Sequence, residues 1–377
     1  MAPADQFDPR HYVGVRRPLA EAETLPAWCY TSAAFHTREI ERAFLKRWLF
    51  VACADEVPNA GDTLALETVG GPIALVRGRD GVVRAFANAC RHRGARLVEG
   101  RGTCRAIVCP YHAWTYDLEG RLIGAPRMER TAGFDRADHG LVPIRLATWQ
   151  GFVFVTFDAR IGRLEDQLGD LTTKLGIYDF DGMVCTRRTS HEVPCNWKVL
   201  IENAMEAYHT GTVHGASLRQ QEAEDEPTEG GWDAIWIARD QSIAVLPDEA
   251  APFDHVPGLA GRAARGTFFT AIHPNTQFAC TQDCMWWLNV WPRGAEACRL
   301  EVGTCFPRAT LARPDFAANV ARYYHRWDTG VADDNAIGAT QQVGLRFAAR
   351  PPGRYSWTES AVHRVNLWLL DQVLDPA

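Results

Sequence analysis

The sequence predicts an α+β protein in which a small all-β domain is followed by a larger domain of mixed helices and strands. Short β-rich segments separated by Gly and Asp turns fill residues 45–158. Longer segments with helical periodicity, mixed with strand-like ones, fill residues 159–377. The length of 377 residues agrees with this division, because one hydrophobic core rarely serves so long a chain.

The N-terminal segment, residues 1–44, is expected to be helical and to pack on the larger domain. Its clearest signal lies in "HTREIERAFLKRW", residues 36–48, which has the spacing of an amphipathic helix. The apolar positions that share one side of this helix are Ile40, Phe44, Leu45 and Trp48.

The predicted all-β domain begins after this helix. The stretches "DTLALETV", "PIALVRGRDG" and "VVRAFAN" are short and rich in β-branched residues. Asp80-Gly81 has the composition of a hairpin turn. The zone ends with "GFVFVTFD", at Asp158, whose continuous apolar run is typical of a buried strand.

The larger domain alternates between predicted helices and strands. Helical periodicity is found in residues 164–175, 196–210, 314–347 and 359–374. Strand-like composition is found in residues 284–291 and 298–306.

Composition excludes several classes of function. A net charge of −6 makes nucleic acid an unexpected partner, and no apolar run reaches the length of a membrane span. The N-terminus lacks the apolar region of a secretory signal. Eleven scattered cysteines argue against a disulfide framework, so we expect a reducing, cytoplasmic location without a membrane partner.

The pattern with the most chemical content is "CRHRGARLVEGRGTCRAIVCPYHAW". Cys90 and His92 form a Cys-x-His pair, and Cys109 and His112 form a Cys-x-x-His pair after sixteen intervening residues. One alternative is structural zinc, for which two thiolates and two imidazoles are a normal set. Zinc fingers, however, usually place the cysteines together and the histidines together. One cysteine and one histidine on each loop suit two irons, as in a Rieske [2Fe–2S] cluster.

These residues and their surroundings resemble a known family. "CRHRGARL…CPYHAWTYDLEGRL" resembles the cluster motif of the terminal (alpha) component of Rieske non-haem iron oxygenases, and "LPAWCYTSAAFHTREIERAFLKRWLFVA" resembles that family's N-terminal stretch. The resemblance implies a Rieske domain and a catalytic domain with an antiparallel sheet flanked by helices, in a helix-grip-like arrangement. It also implies a homotrimer, because the cluster of one subunit lies near the iron of the next. Electrons are expected from NAD(P)H through a reductase, with or without a ferredoxin, to be used with O2.

An oxygenase also needs a mononuclear Fe(II) with open positions, which two histidines and one carboxylate provide. His209 and His214 are five residues apart, and on a continuous helix they would point about 140° away from each other. Gly211 lies between them, so we expect the helix to end after His209 and the chain to turn His214 back. The pair matches the His-x4-His of the family. The alternative is two unrelated histidines at a helix end.

The third iron ligand is expected from the late helix, where Asp328, Asp333 and Asp334 are candidates. The family places its aspartate eight residues before the glutamine of a Gln-x-Gly-Leu sequence. Here that glutamine is Gln342, which favours Asp334. Asp333 is the alternative, since a shift of one residue rotates a helical side chain by about 100°. A solvated acidic face would explain both without a metal.

Two further residues are assigned catalytic support. Glu206 lies three residues before His209, on the same face if the segment is helical, and its carboxylate can orient an imidazole. The resemblance implies that this position links the iron of one subunit to a cluster histidine of the next. Most members have Asp here, and Glu resembles the members that act on carnitine and other quaternary amines. Asn203 matches an asparagine that the family places near the iron.

The substrate is predicted to be a small organic molecule, a quaternary or N-methylated amine that undergoes C–H hydroxylation or N-demethylation. Of the thirteen tryptophans, Trp232, Trp236, Trp286, Trp287 and Trp291 are candidates for a cation–π wall, with ordinary core packing as the alternative. The alternative reactions are aromatic ring hydroxylation and O-demethylation of an aromatic acid. A Rieske electron carrier without oxygenase activity is the alternative of another class.

Overall fold

The computed structural model describes residues 5–347 and 349–374 and divides the chain into two compact units. The smaller unit is Trp48–Leu164, and the larger unit combines Met1–Arg47 with Glu165–Ala377. The first consists of strands and turns, and the second combines an antiparallel sheet with helices. The predicted α+β fold class is therefore confirmed.

The smaller unit contains a seven-stranded and a three-stranded antiparallel sheet. Its strands are β1 (Leu49–Cys53), β2 (Asp62–Thr68), β3 (Gly71–Arg77), β4 (Val83–Ala87), β5 (Arg101–Thr103), β6 (Ile107–Val108), β7 (Thr115–Tyr116), β8 (Leu122–Gly124), β9 (Pro143–Trp149) and β10 (Phe152–Thr156). The larger sheet has the order β1-β10-β9-β4-β3-β2-β5, and the smaller one has the order β6-β7-β8.

Local sequence explains two features of this unit. The apolar run predicted to be a buried strand is β10, in which every residue is buried. The predicted turn at Asp80-Gly81 connects β3 and β4: Gly81 has a φ of 79°, and Arg84 donates to the carboxylate of Asp80 at 2.7 Å.

The larger unit is built on a second seven-stranded sheet, of order β11-β17-β16-β15-β14-β13-β12. Its strands are β11 (Met183–Val193), β12 (Glu224–Glu226), β13 (Trp232–Ala238), β14 (Gly266–Ile272), β15 (Thr276–Cys280), β16 (Met285–Gly294) and β17 (Ala297–Pro307). The α-helices of the described chain are α1 (Trp28–Thr31), α2 (Ala33–Glu39), α3 (Leu164–Leu168), α4 (Leu171–Lys174), α5 (Trp197–Asn203), α6 (Thr210–Val213), α7 (Arg308–Leu311), α8 (Phe316–Leu345) and α9 (Ser360–Leu374).

The strands predicted at 284–291 and 298–306 are confirmed as β16 and β17, and the long late helix is confirmed as α8. The expectation of a helical segment over 1–44 was wrong in its continuity, and residues 1–4 lie outside the described part. Prolines such as Pro18 and Pro26 interrupt this stretch, which contains short 3₁₀ turns, α1 and α2. The helix predicted at 36–48 begins at Ala33 and closes with a π-helical turn over Ile40–Phe44.

Among the described residues, no helix combines the length and the apolar character needed to cross a membrane.

Candidate metal centres

Two loops of the smaller unit carry the cysteine–histidine pairs, and their backbones close in the same way. In the first loop, Cys90 N donates to Ala95 O at 2.8 Å and Gly94 N donates to Cys90 O at 2.9 Å. In the second, Cys109 N donates to Trp114 O at 2.8 Å, and the amide of the residue before Trp114 donates to Cys109 O at 3.0 Å. The loops are therefore equivalent around each cysteine, although the histidine comes one residue later in the second.

The residue that closes each loop adopts a left-handed conformation. Gly94 has a φ of 77° and Ala113 has a φ of 56°. Glycine reaches this region freely, whereas alanine pays a steric cost of about 1–2 kcal/mol there. The second loop keeps this conformation because strands β6 and β7 hold its ends together as a hairpin.

Thiols and imidazoles lie at opposite ends of the pair of loops. Cys90 and Cys109 are each only 3% exposed, whereas His92 and His112 are exposed. The two Nδ1 atoms are 3.2 Å apart, so both imidazoles bring the same ring nitrogen to one point. Although burial opposes it, amide hydrogen bonds from Tyr111 and His112 lower the pKa of Cys109 below its ordinary value.

This donor set fits a [2Fe–2S] cluster held by two thiolates and two imidazoles. The Nδ1–Nδ1 distance is close to the separation of about 3.4 Å expected for two nitrogens on one tetrahedral metal with bonds of about 2.1 Å. His92 stacks on Trp114 at 5.0 Å with an interplanar angle of 11°, which fixes the orientation of its ring. Because the two cysteines are buried and the two histidines are exposed, the iron bound by the histidines would lie at the surface.

Tyr116, which is not among the residues predicted for this site, lies beside the sulfur of Cys90. Its hydroxyl is 3.3 Å from Cys90 Sγ and accepts a hydrogen bond from Arg91 N at 3.0 Å. Burial raises the pKa of Tyr116 well above its ordinary value, so the hydroxyl keeps its proton and can donate a hydrogen bond to a thiolate at Cys90.

Replacing Tyr116 with Phe is expected to lower the reduction potential of the cluster. A hydrogen bond to a thiolate is stronger in the reduced, more negative state, and its loss lowers the potential by the difference in bond energy between the two oxidation states. That difference is at most about 3 kcal/mol, or roughly 130 mV for a one-electron couple. Redox titration followed by electron paramagnetic resonance measures the shift. Tyr111→Phe is the control, because Tyr111 contacts His112 through its ring. Equal potentials for both variants and the wild type would show that this hydroxyl does not tune the cluster.

The second candidate centre lies in the larger unit, where two histidines and an aspartate converge. One atom each from His209, His214 and Asp334 lies within 4.8 Å of the others. Asp334 Oδ1 is 3.1 Å from His214 Nε2 and 3.6 Å from His209 Nε2. The two imidazole rings are 5.1 Å apart and inclined by 69°.

Two further carboxylates contact the Nδ1 atoms of these imidazoles, on the side of each ring that faces away from Asp334. Glu206 Oε1 is 2.6 Å from His209 Nδ1, and Asp333 Oδ2 is 3.1 Å from His214 Nδ1. An ionised carboxylate only accepts, so each Nδ1 carries a proton, and each Nε2 is the ring nitrogen left to bind a metal together with Asp334. The structure thus separates the neighbouring aspartates: Asp334 faces both Nε2 atoms, and Asp333 orients one ring.

The chain reaches this geometry differently from the prediction. The helix expected to continue to His209 ends at Asn203, and His209 precedes the single-turn helix α6. Glu206 therefore contacts His209 across a turn, where its other oxygen accepts from His209 N at 3.0 Å. Thr210 fixes this turn, because its hydroxyl donates to Ala207 O at 2.7 Å and accepts from a later amide at 2.9 Å.

Helix α8 is held in register against α5 by two residues. The buried side chain of Gln342 accepts from Asn196 N at 2.9 Å and donates to Tyr30 O at 3.3 Å. A Cβ on Gly338 would lie 3.3 Å from Val199, so the absence of a side chain permits the two helices to approach closely. These contacts position Asp334, which lies one helical turn before Gly338.

The second donor set fits a divalent metal. Ligands on one face of an octahedron are about 3 Å apart when the bonds are about 2.1 Å, close to the 3.1 Å between His214 Nε2 and Asp334 Oδ1. Asp334 Oδ1 is buried and accepts no hydrogen bond from the described residues. Burial opposes protonation of His214, but Asp334 and Asp333 raise its pKa above the ordinary value, as expected for an imidazole placed where a cation is favoured.

A cavity adjoins this centre and encloses about 840 Å³ of empty space, including its open mouth. Asn203, Glu206 and His209 line it, so the structure places every predicted residue of this second centre in one region. Its aromatic lining comprises Phe269, Phe278 and Trp327.

The five tryptophans proposed for a cation–π wall lie elsewhere in the core. Each is buried, and the cavity lining contains none of them among the described residues. Trp286 packs behind the cavity, stacked on Trp327 at 4.6 Å. The core alternative is therefore the correct one for these five residues.

Comparison with known families identifies the two domains of the chain. A model described as the ring hydroxylating alpha subunit (catalytic domain) matches residues 180–375, just over half of the chain. The chain belongs to this family. A second model, the Rieske [2Fe–2S] domain, matches residues 47–143. A ring-hydroxylating alpha subunit with both domains carries a Rieske cluster and a non-haem Fe(II) ion.

Curated relatives of this ring-hydroxylating alpha subunit include amine monooxygenases. The carnitine monooxygenase oxygenase subunit of Escherichia coli K12 is 41% identical over 197 residues, which are 52% of this chain and 53% of that protein. The match thus spans about half the length of that relative. The glycine betaine monooxygenase oxygenase subunit of Pseudomonas aeruginosa is 28% identical over 386 aligned positions, covering 93% of this chain and 89% of that protein.

A solved structure of a quaternary ammonium Rieske monooxygenase resembles this alpha subunit with a TM-score of 0.81 and 25% identity. The alignment covers 93% of this chain and 95% of that chain. That protein was studied for carnitine oxidation by gut microbiota and for inter-subunit electron transfer.

Proposed function

We propose that this protein is the terminal oxygenase of a Rieske monooxygenase system that oxidises a quaternary or N-methylated amine. The observation that carries the proposal is the convergence of His209 Nε2, His214 Nε2 and Asp334 Oδ1 beside a largely apolar cavity. Fe(II) bound there supplies dioxygen activation. One oxygen atom enters a C–H bond of the substrate and the other leaves as water, with two electrons from NAD(P)H.

The protein's own contribution is orientation and exclusion of water. Glu206 and Asp333 hold the Nδ1 protons and so direct both Nε2 lone pairs inward. Aliphatic and aromatic side chains, among them Leu288 and Phe269, line the cavity and limit access of solvent to the reacting centre. Asn203 contributes a polar group to the same wall.

Electron delivery is proposed to run through Cys90, His92, Cys109 and His112, which hold the cluster. A separate reductase, with or without a ferredoxin, supplies the electrons. In a homotrimer, the exposed imidazoles of one subunit would meet Glu206 of the next, and inter-subunit transfer in a structurally similar monooxygenase supports this route. The eleven cysteines are all free, which supports a reducing, cytoplasmic setting.

The assignment of the substrate class rests on similarity to relatives that act on carnitine and glycine betaine. The test measures oxygen uptake linked to NADH, with a surrogate reductase and a panel of quaternary amines, tertiary amines and aromatic acids. We expect uptake coupled to product with at least one amine. Coupled turnover of aromatic acids alone would contradict the amine assignment.

Replacing His209 with Ala is expected to abolish oxygen uptake while the visible spectrum of the cluster is retained. The variant loses one of three metal ligands in the larger unit but leaves the cluster loops unchanged. Iron and acid-labile sulfide analysis should show loss of the mononuclear iron alone. A wild-type protein with no mononuclear iron and no substrate-dependent oxygen uptake, unchanged by this substitution, would favour an electron carrier instead.

A further inference from the structure

Arg326 is a buried cation in the wall of the cavity beside the candidate iron centre. It lies on α8, eight residues before Asp334, and is 5% exposed. Burial lowers the pKa of Arg326 to about 10, against the opposing charge of Asp334, so the guanidinium remains cationic at neutral pH.

The Arg326 side chain has neither an ion pair within 4.0 Å nor a hydrogen bond to any side chain or carbonyl in the described part of the chain. Its guanidinium carbon lies 4.8 Å from the centre of the Trp327 ring, and an Nη atom faces the space beside Gly330. Among the described residues, the other buried Lys or Arg side chain is Lys198, which contacts a carboxylate at 2.6 Å. A buried charge without a counterion costs several kcal/mol, which is why such groups are usually paired.

A second cavity lies against the same arginine. Leu218, Gln221 and Arg326 line both cavities and therefore form their common boundary. The second cavity is also lined by Arg219 and Arg239. Arg219 forms an ion pair with Asp248 at 2.5 Å, so Arg239 and Arg326, opposed by Glu249, leave this approach with a small positive excess that favours an anionic group.

From these observations we propose that Arg326 binds the carboxylate of the substrate, so that the protein selects zwitterionic amines that carry a carboxylate. The inference rests on the proposed function and specifies its substrate class. A guanidinium forms two parallel hydrogen bonds with a carboxylate, which is its preferred partner in buried sites. Eight residues of helix separate the Cα atoms of Arg326 and Asp334 by about 12 Å. A carboxylate anchored at Arg326 therefore leaves room for the N-methyl end of a short molecule to lie at the metal.

Replacing Arg326 with Gln is expected to weaken binding of carboxylated substrates selectively. Calorimetric titration of the anaerobic holoenzyme with glycine betaine, carnitine and choline measures this. For glycine betaine and carnitine, the loss of two charge-assisted hydrogen bonds should raise Kd at least about 30-fold. For choline, which has a hydroxyl instead of the carboxylate, the change should be less than about threefold. Arg326→Lys keeps the positive charge but cannot form two parallel hydrogen bonds. Its Kd for the carboxylated compounds should lie between those of the wild type and Arg326→Gln.

Arg322→Gln is the matched control, because Arg322 lies one turn earlier on α8 and is exposed. It should bind all three compounds as the wild type does. Thermal unfolding and iron content establish that the variants are folded and loaded. Equal weakening of all three compounds, or loss of iron, would mean that Arg326 acts through Asp334 and would overturn the proposal.

Titration with benzoate separates failure of this inference from failure of the amine assignment. If neither amine carboxylate binds but benzoate binds the wild type at least about 30-fold more tightly than Arg326→Gln, the amine assignment is wrong and carboxylate recognition by Arg326 stands. If none of the carboxylates binds the wild type, or if choline binds it as tightly as glycine betaine, Arg326 is not a carboxylate site.

Discussion

Asp334→Asn is expected to remove the mononuclear iron and to reduce turnover by more than about 100-fold, which exceeds the effect typical of an orienting residue. Among the described residues, Asp334 is the carboxylate that faces both Nε2 atoms, at 3.1 and 3.6 Å. Its amide analogue is a neutral and weaker ligand. Iron content measured by mass spectrometry, together with NADH-linked oxygen uptake, tests this expectation.

Asp333→Asn is the matched comparison on the adjacent residue. It keeps an acceptor for His214 Nδ1 and Ser217 but removes the charge that supports the imidazole. We expect metal affinity to fall by about 10–100-fold, with activity recovered at high ferrous iron. If Asp334→Asn retains iron and Asp333→Asn loses it, Asp333 is the metal ligand and Asp334 is not.

Lys198→Met is expected to destabilise the larger unit by about 3–5 kcal/mol, which corresponds to a fall in Tm of roughly 6–15 °C. Lys198 Nζ is 2.6 Å from Glu39 Oε1, and the side chains are 2% and 0% exposed. Trp197 Nε1 also donates to Glu39, at 3.1 Å. This pair fastens the N-terminal segment to α5, and removal of the cation leaves a buried carboxylate with the indole alone.

The stability lost in Lys198→Met should increase as the pH rises. Burial raises the pKa of Glu39 above its ordinary value of 4.5 even with Lys198 present, and loss of Lys198 raises it further. Between the ordinary and the raised pKa the folded state binds more protons than the unfolded state, so its stability falls with increasing pH. Calorimetric scans at several pH values above 5 measure this slope.

Arg346→Met is the control, since Arg346 forms an ion pair with Glu296 at 2.7 Å in which both partners are partly exposed. Its loss should cost no more than about 1 kcal/mol. The double variant Lys198→Met with Glu39→Met should recover much of the stability, because a buried ion pair is often replaceable by apolar side chains. If Lys198→Met and Arg346→Met have the same Tm, the buried ion pair contributes no more to stability than the exposed one.

The sequence predicted the features that depend on local pattern. The fold class, β10, α8 and the spacing of the two cluster loops follow from periodicity and from ligand chemistry within short segments. The candidate metal residues could also be named, because family resemblance related Gln342 to Asp334. The structure supplies a physical reason for that relation: Gln342 fixes the register of α8 against the residues that begin α5.

Features that depend on long-range packing were not accessible in the same way. The end of α5 at Asn203 was missed because "ENAMEAYHT" has good helical propensity, and tertiary contacts made by Thr210 decide otherwise. The choice between Asp333 and Asp334 required the orientation of one helix against a loop. Arg326 carried no local signal, since only the fold reveals a guanidinium without a counterion.

The two carboxylates that hold the Nδ1 protons have a consequence for how the protein acquires its metal. The contacts of Nδ1 with Glu206 and Asp333 restrict rotation of both rings, and so limit the rearrangement that metal binding requires. A rigid set of two nitrogens and one oxygen does not by itself favour iron, and the intrinsic order of affinities places nickel, copper and zinc above Fe(II). Correct loading must therefore come from metal supply. Nickel-affinity purification is expected to mismetallate the protein unless chelation and anaerobic ferrous reconstitution follow.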